Sequence, residues 1–239
     1  MQDEATNHIL REVIAVIPKG TNVYLMGGAV RNAVYHSLFG KPMRQRDYDM
    51  IVLGDSAAFI RNIRAIGFVY GKIRRKHQVV LKKKKIARPQ TLGDYVFFDM
   101  HIDGSEKTPR ESLKKHANFT ANGFALPLNA VISNSWKKKV IALPTAFDDL
   151  KKKILKVNKS EYPADLFAAI RFMSQGFKQP SGSDIALLLQ SLKKIQRHRH
   201  RKNIKKLFEY VGGEKNARGL LKKLKLKTDV FAFDSIKKL

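Results

Sequence analysis

Two carboxylates, Asp47 and Asp49, stand two positions apart in MRQRDYDMIVL, downstream of a glycine pair, Gly27 and Gly28, that closes the apolar run NVYLM. In a strand, residues i and i+2 point to one face, so a strand running through this segment sets both carboxylates on the same side. Hard oxygen ligands at that spacing suit one or two Mg²⁺ ions. The glycines lack a Cβ, and backbone N–H groups at such a turn can approach phosphate oxygens closely. Together these parts describe metal-assisted, in-line displacement at a triphosphate, with a hydroxyl as the incoming nucleophile. A third carboxylate on a neighbouring strand would complete the set. Asp99 in VFFDMHI is the first candidate and Asp103 the reserve. Taken alone, D-x-D also reads as a surface turn and the glycines as a plain strand-to-helix turn. Their combination, their strand placement and the charge of the chain favour the chemical reading.

The elements that must position these residues follow from hydrophobic spacing. Residues 4–17 have the period of an amphipathic helix, which Pro18, Lys19 and Gly20 end. NVYLM is a buried strand, AVRNAVYHSLFG a helix capped by Gly40, and MRQRDYDMIVL a loop entering a second strand. Residues 55–66 are helical in pattern, and VYGKI, HQVVLKK and DYVFFDMHI are strands, with an excursion at 82–94. NGFALPLN and KKVIALP add two more, giving a mixed sheet of about five to seven strands. From Asp148 onward strand signals vanish, and DDLKKKILKV, ADLFAAIRFMSQGF, IALLLQSLKKIQ, KNIKKLFEYV and ARGLLKKLKL carry helical periodicity. The expectation is an α+β protein: a head over residues 1–147 and a basic α-helical region over 148–239. Phe59, Phe68 and Phe172 are expected in its core.

Charge narrows the partner. The 239 residues hold 47 Lys+Arg against 20 Asp+Glu, a net of +27, and a field of that sign attracts polyanions, of which RNA and DNA are the commonest. An assembly subunit, or simply a highly soluble protein, is the alternative. The densest basic set runs from Lys193 to Lys238. Within it Lys193, Lys194, Arg197, Arg199, Arg201, Lys202, Lys205 and Lys206 are assigned to a nucleic-acid backbone, which the resemblance described below implies is RNA. His198 and His200 alternate with these arginines. Cationic neighbours disfavour a bound cation, so both read as part of an RNA-facing segment rather than as metal ligands. The absence of cysteine excludes disulfides and thiolate zinc sites. No apolar run reaches the roughly 20 residues of a membrane span. The acidic start, with Asp3 and Glu4, is unlike a secretory signal. The cytoplasm is the expected location, with the mitochondrial matrix as the alternative.

LMGGAVRNAVYHSLFGKPMRQRDYDMIV resembles the first motif of class II CCA-adding enzymes and bacterial poly(A) polymerases, within the polymerase-β nucleotidyltransferase superfamily: GG-x-VRD, a short helix, then D-x-D. HANFTANGFAL is similar to the family's RRD-F-T-x-NAMA motif, and FDDLKKKILKV to its D-x-x-x-G-x-x-DL stretch. EYPADLFAAIRF is similar to the base-reading segment EDPLRILRAIRF, and RKNIKKLFEYVGGEKNARGLLKKL to the ERIxxEL helix and the stretch after it. These occur in family order over roughly residues 20–230. The resemblance implies a nucleotidyltransferase head holding Mg²⁺ on Asp47 and Asp49, with Asp99 as base or third ligand and Gly27, Gly28 and Arg31 on the triphosphate. It implies a helical neck and partial body, and a nucleoside pocket lined by Asn118, Asn122, Tyr162, Asp165 and Arg171. The implied reaction adds nucleotides from NTPs to the 3′ end of a tRNA-like RNA.

The departures from the family pattern are specific. Tyr162 and Asp165 stand where the base-reading Asp and Arg are expected, although Glu161 is kept. His116, Ala117 and Asn118 replace RRD; Asn32 replaces the Asp of GG-x-VRD; Lys202 and Asn203 replace Glu-Arg. Asp47, Asp49, Gly27, Gly28, Arg31, Thr120, Asn122 and Arg171 match. The competing reading is a catalytically impaired descendant serving as an RNA-binding subunit of a ribonucleoprotein, such as a ribosome or its assembly machinery. A protein partner would then replace the rest of the body. Nucleotidyl transfer to a small molecule would fit the head but leave the charge unexplained.

Overall fold

The computed structural model describes residues 4–41, 48–75, 78–85, 95–102, 104–133, 135–160 and 162–238, of which 72–75 as backbone only. Asp47, Asp103, Glu161 and most of the 82–94 excursion lie outside the described residues. The chain divides into two compact units, Met1–Lys115 with Asn122–Leu143, and His116–Ala121 with Pro144–Leu239.

The first unit is built on a seven-stranded mixed sheet. Its strands are β1 (Asn22–Met26), β2 (Tyr48–Leu53), β3 (Val69–Arg75), β4 (Gln78–Lys84), β5 (Tyr95–His101), β6 (Phe124–Pro127) and β7 (Ile141–Ala142), in the order β3-β4-β5-β2-β1-β6-β7. β2 lies at the centre and reads as an apolar run because every residue from Met50 to Leu53 is buried. Its pairing with β1 is antiparallel and with β5 parallel. Helix α1 (Glu4–Ala15) buries Ile9, Leu10 and Val13, and α3 (Ser56–Ala65) buries Phe59 and Ile63. Asp55 caps α3 by accepting from the Ala58 N–H at 2.8 Å. Phe68 stacks on Phe98 with ring centroids 5.0 Å apart. Helix α2 (Gly28–Phe39) ends at Gly40, whose positive φ of 67° closes it in the left-handed conformation.

A further helix, α4 (Pro109–His116), stands between β5 and β6, where hydrophobic spacing marks no element. Its start is a capping box. Glu111 N–H donates to Thr108 Oγ1 at 3.2 Å, and Glu111 Oε2 accepts from the Thr108 N–H at 3.2 Å, with Pro109 at the first helical position.

In the second unit, α5 (Ala146–Lys151) is shorter than the periodicity of DDLKKKILKV suggests. Lys153 turns to φ 54°, and the chain runs on to Val157, which bridges Phe119. That bridge, with Thr120 N–H donating to the Lys156 carbonyl at 3.0 Å, ties 116–121 into this unit. A linear division of the chain at 147 makes no provision for that return. Helices α6 (Asp165–Ser174), α7 (Gly182–Leu192), α8 (Arg197–Val211), α9 (Glu214–Lys223) and α10 (Phe233–Lys237) complete the unit. The core of α6 is Leu166, Phe167, Ala169, Ile170 and Phe172. No described helix is long and apolar enough to cross a membrane.

Candidate active site

Strand pairing assembles the acidic part of the site. Met26, the last residue of β1, pairs with Asp49 across the antiparallel ladder, and Asp49 pairs with Asp99 across the parallel one. Paired residues on neighbouring strands project to the same face, so the two carboxylates share one side of the sheet. Asp99 is only 2% exposed. Its Oδ1 accepts a hydrogen bond from Gln78 Nε2 at 2.7 Å, a partner that no short-range pattern announces. Gln78 reaches it because β4 and β5 pair with Val80 opposite Asp99 and Gln78 opposite His101.

Immediately after β1 the chain turns at Gly27 with φ 60° and ψ −126°, a conformation open to glycine and strained for any L side chain. Its N–H donates to the Phe124 carbonyl at 2.9 Å. A β-carbon there would stand 3.6 Å from both Asp49 Oδ2 and Asn122 Nδ2. The turn, the carboxylate and the amide therefore converge on one space. Asn122 Oδ1 accepts from Arg31 Nη1 at 3.1 Å, while Asn32 Oδ1 accepts from Arg31 Nε at 3.1 Å and Nη2 at 2.7 Å. Two neutral amide oxygens thus orient the guanidinium. A β-carbon on Gly28 would be 3.9 Å from Arg31 Nη2, so Gly28 leaves that guanidinium room.

The sequence-assigned residues Gly27, Gly28, Arg31, Asp49 and Asp99 therefore meet in the first unit. Asn122, assigned by resemblance to the nucleoside pocket, sits with them. Asp49 and Asp99 offer only oxygen donors from adjacent strands, a set that fits a hard divalent cation. Among the described residues no group of three His, Cys, Asp or Glu is gathered, and Asp47 is not one of those residues.

The second unit holds a separate polar cluster at the start of α6. Asn118 Nδ2 donates to Asp165 Oδ1 at 3.3 Å. Asn118 is fixed in turn, its Oδ1 accepting from the Phe119 N–H at 3.0 Å and its carbonyl from the Asn158 N–H at 2.9 Å. The Asp165 N–H donates to the Tyr162 carbonyl at 2.9 Å, so Tyr162 forms the turn into the helix. Arg171 lies six residues further along α6, about 120° around it. Its guanidinium is 5.9 Å from the Tyr210 ring on α8. Beneath the cluster, Thr120 and Thr145 hydroxyls donate to buried Asp149 Oδ2 at 2.6 and 2.7 Å, locking the motif segment to α5.

The eight basic residues assigned to RNA are all exposed. On α8, helical spacing puts Arg197, Arg201 and Lys205 along one stripe and Arg199, Lys202 and Lys206 along another. The expectation for His200 is corrected. It is 1% exposed, its Nε2 lies 2.9 Å from the Val230 carbonyl, and Phe167 and Phe233 flank it with centroids at 5.8 and 5.6 Å. Burial pulls its imidazole below the ordinary pKa, opposed in part by the Val230 bond and the Asp229 charge. The alternating Arg-His pattern suggested a uniform surface, but a helix of 3.6 residues per turn places one of the two histidines in the core.

No protein-family model matches the chain, and no curated protein is significantly similar to it in sequence. Solved structures do match. A CCA-adding enzyme with CTP superposes with a TM-score of 0.65 at 20% identity, over 99% of this chain and 52% of that one. The Thermotoga maritima CCA-adding enzyme complexed with tRNA gives 0.62 at 19%, over 94% and 51%. A tRNA nucleotidyltransferase complexed with a primer tRNA and an incoming ATP analog gives 0.60 at 22%, over 90% and 58%. The fold is the one these CCA-adding enzymes have over the matched part: a mixed sheet followed by helices. The chain spans little more than half the length of these three proteins.

Proposed function

We propose that this chain is a template-independent RNA nucleotidyltransferase, which transfers nucleoside monophosphate from an NTP to the 3′-hydroxyl of a tRNA-like RNA and releases pyrophosphate. The observation that carries the reading is the pairing of Asp49 with Asp99 beside the Gly27 turn, within the fold shared with CCA-adding enzymes. Asp49, with Asp47 two positions before it in the sequence, would hold Mg²⁺. When bound, that ion supplies charge neutralisation at the triphosphate and lowers the pKa of the attacking hydroxyl. Gly27 leaves space for the phosphates. Arg31, oriented by Asn32 and Asn122, meets their charge with a guanidinium fork. Asp99, anchored by Gln78, accepts the hydroxyl proton. The choice of nucleobase is assigned, on the resemblance alone, to Asn118, Tyr162 and Asp165 of the second unit.

The test is incubation with tRNA lacking its 3′ end, Mg²⁺ and each labelled NTP in turn; incorporation supports the reading. Asp165 at a position where the resemblance implies Arg favours a second reading, an RNA-binding subunit of a ribonucleoprotein. That reading requires RNA binding with no incorporation of any NTP.

A further inference from the structure

We propose that α8 and the segment 229–237 form a cleft for one unstacked nucleotide of single-stranded RNA, its phosphates on Arg201 and Lys205 and its base against Phe208 and Phe231. The proposal rests on RNA being the substrate and adds where, and through which atoms, the second unit holds it.

A cavity of about 600 Å³ lies between α8 and the C-terminal segment, within the size range of small-ligand sites and roomy enough for a nucleotide. One wall is the Arg197, Arg201, Lys205 stripe of α8, and the other carries Phe231 and Phe233. Arg197 is engaged at one end. Its Nη2 donates to Asp234 Oδ1 at 2.6 Å, and its guanidinium carbon lies 4.7 Å from the Phe233 ring centroid. Arg201 and Lys205 form no ion pair with any described residue and stand about 6 Å apart along the helix axis, on the scale of successive backbone phosphates.

The walls are fixed rather than adaptable. His200 at the floor bonds the Val230 carbonyl. Asp229 Oδ1 accepts from the Phe231 N–H at 3.0 Å, and Phe208 meets Phe231 edge-on with centroids at 5.3 Å. Carboxylates bracket the Arg201–Lys205 pair, Asp234 at one end and Glu209 at the other. A duplex would carry its row of phosphates past both acids, whereas one step of a single strand fits between them. Positive charge beside aromatic surface is the arrangement that holds single strands without reading their sequence. The other stripe, with Lys202 and Lys206, does not line the cleft.

The experiment uses the full chain, fluorescein-labelled oligouridylate, and an abasic oligomer of the same length, read by fluorescence anisotropy over a salt series. Arg201→Ala with Lys205→Ala should flatten the log–log salt slope by about 1.4, at roughly 0.7 per single-strand phosphate contact. Lys202→Ala with Lys206→Ala should change it much less. Phe231→Leu, which keeps apolar packing, should weaken oligouridylate binding about ten-fold and leave abasic binding unchanged, while Phe231→Tyr should bind like wild type. Equal slopes for the two double variants, full affinity in Phe231→Leu, or competition by oligoglutamate as strong as by RNA would each overturn the proposal. The last result would make the cleft a peptide site. A chain that binds in this way yet transfers no nucleotide retains the cleft and loses the enzymatic reading. One that transfers nucleotide but ignores the Phe231 and Arg201 substitutions does the reverse.

Discussion

Asp49 on β2 and Asp99 on β5 are register partners across a parallel strand pair, which holds two carboxylates on one face at the spacing of adjacent strands, about 4.8 Å. Like charges that close favour a shared cation or proton. If they act together on a triphosphate, Asp49→Asn and Asp99→Asn should each lower single-turnover transfer by at least about a hundred-fold. RNA affinity, measured by anisotropy, should stay at the wild-type value, because the basic helices belong to the other unit.

Gln78 acts on the reaction only through Asp99. Gln78→Met removes the 2.7 Å hydrogen bond while keeping the volume, and should lower kcat about ten-fold, as loss of an orienting partner does at metal sites. The KM for NTP should hardly move. A KM rise at constant kcat would show instead that Gln78 touches the nucleotide.

Gly27→Ala combines two costs. A side chain at φ 60°, ψ −126° is strained by about 1–3 kcal/mol, and its β-carbon enters the space shared with Asp49 and Asn122. Urea denaturation should show a loss within that range, and NTP titration by calorimetry a weaker affinity. Undiminished NTP affinity would place the triphosphate elsewhere.

Much of this site was legible from the sequence because its parts are local. The apolar run, the glycine pair and the helix closing on Gly40 lie in one continuous stretch, whereas the shared face expected of Asp47 and Asp49 involves Asp47, outside the described residues. Asp99 could be nominated from VFFDMHI alone. Gln78 could not, since its proximity to Asp99 arises from β4–β5 pairing. The capping box at Thr108 and Glu111 was a readable signal that the surrounding charge obscured. At α5 the fault lay with periodicity itself. Lysines, leucines and Ile154 kept a helical rhythm through a segment that tertiary contacts with Phe119 and Thr120 draw out of the helix. His200 failed for a similar reason: its neighbours in sequence are basic, but its neighbours in space are Phe167 and Phe233.

Base choice should differ from faithful addition of C, C and A. An ionised Asp165 only accepts hydrogen bonds, and Asn118 already donates to its Oδ1. Such an edge favours bases that present donors, such as the guanine N1–H and N2–H₂ or an exocyclic amine. Tyr162→Asp with Asp165→Arg should shift incorporation toward C and A. Wild-type protein adding C, C and A in order and then stopping would refute this.

His200 makes the second unit sensitive to acid. Its folded pKa is lowered by burial, so below the ordinary value of about 6.5 the unfolded chain binds a proton that the folded one refuses. Stability is therefore full above that pH and falls as the pH drops beneath it. Urea midpoints at pH 7.5 and 5.5 should separate further for wild type than for His200→Gln, which carries no titrating ring.

The most direct measurement of the central claim is single-nucleotide gel analysis of a tRNA lacking its 3′ end, incubated with Mg²⁺, NTPs and either wild-type protein or Asp49→Asn. The predicted result is a product extended by one or more nucleotides for wild type and an unextended band for the variant, with equal RNA binding by both. An RNA that wild type binds but never extends, with Mg²⁺ or Mn²⁺ and any NTP, would contradict it.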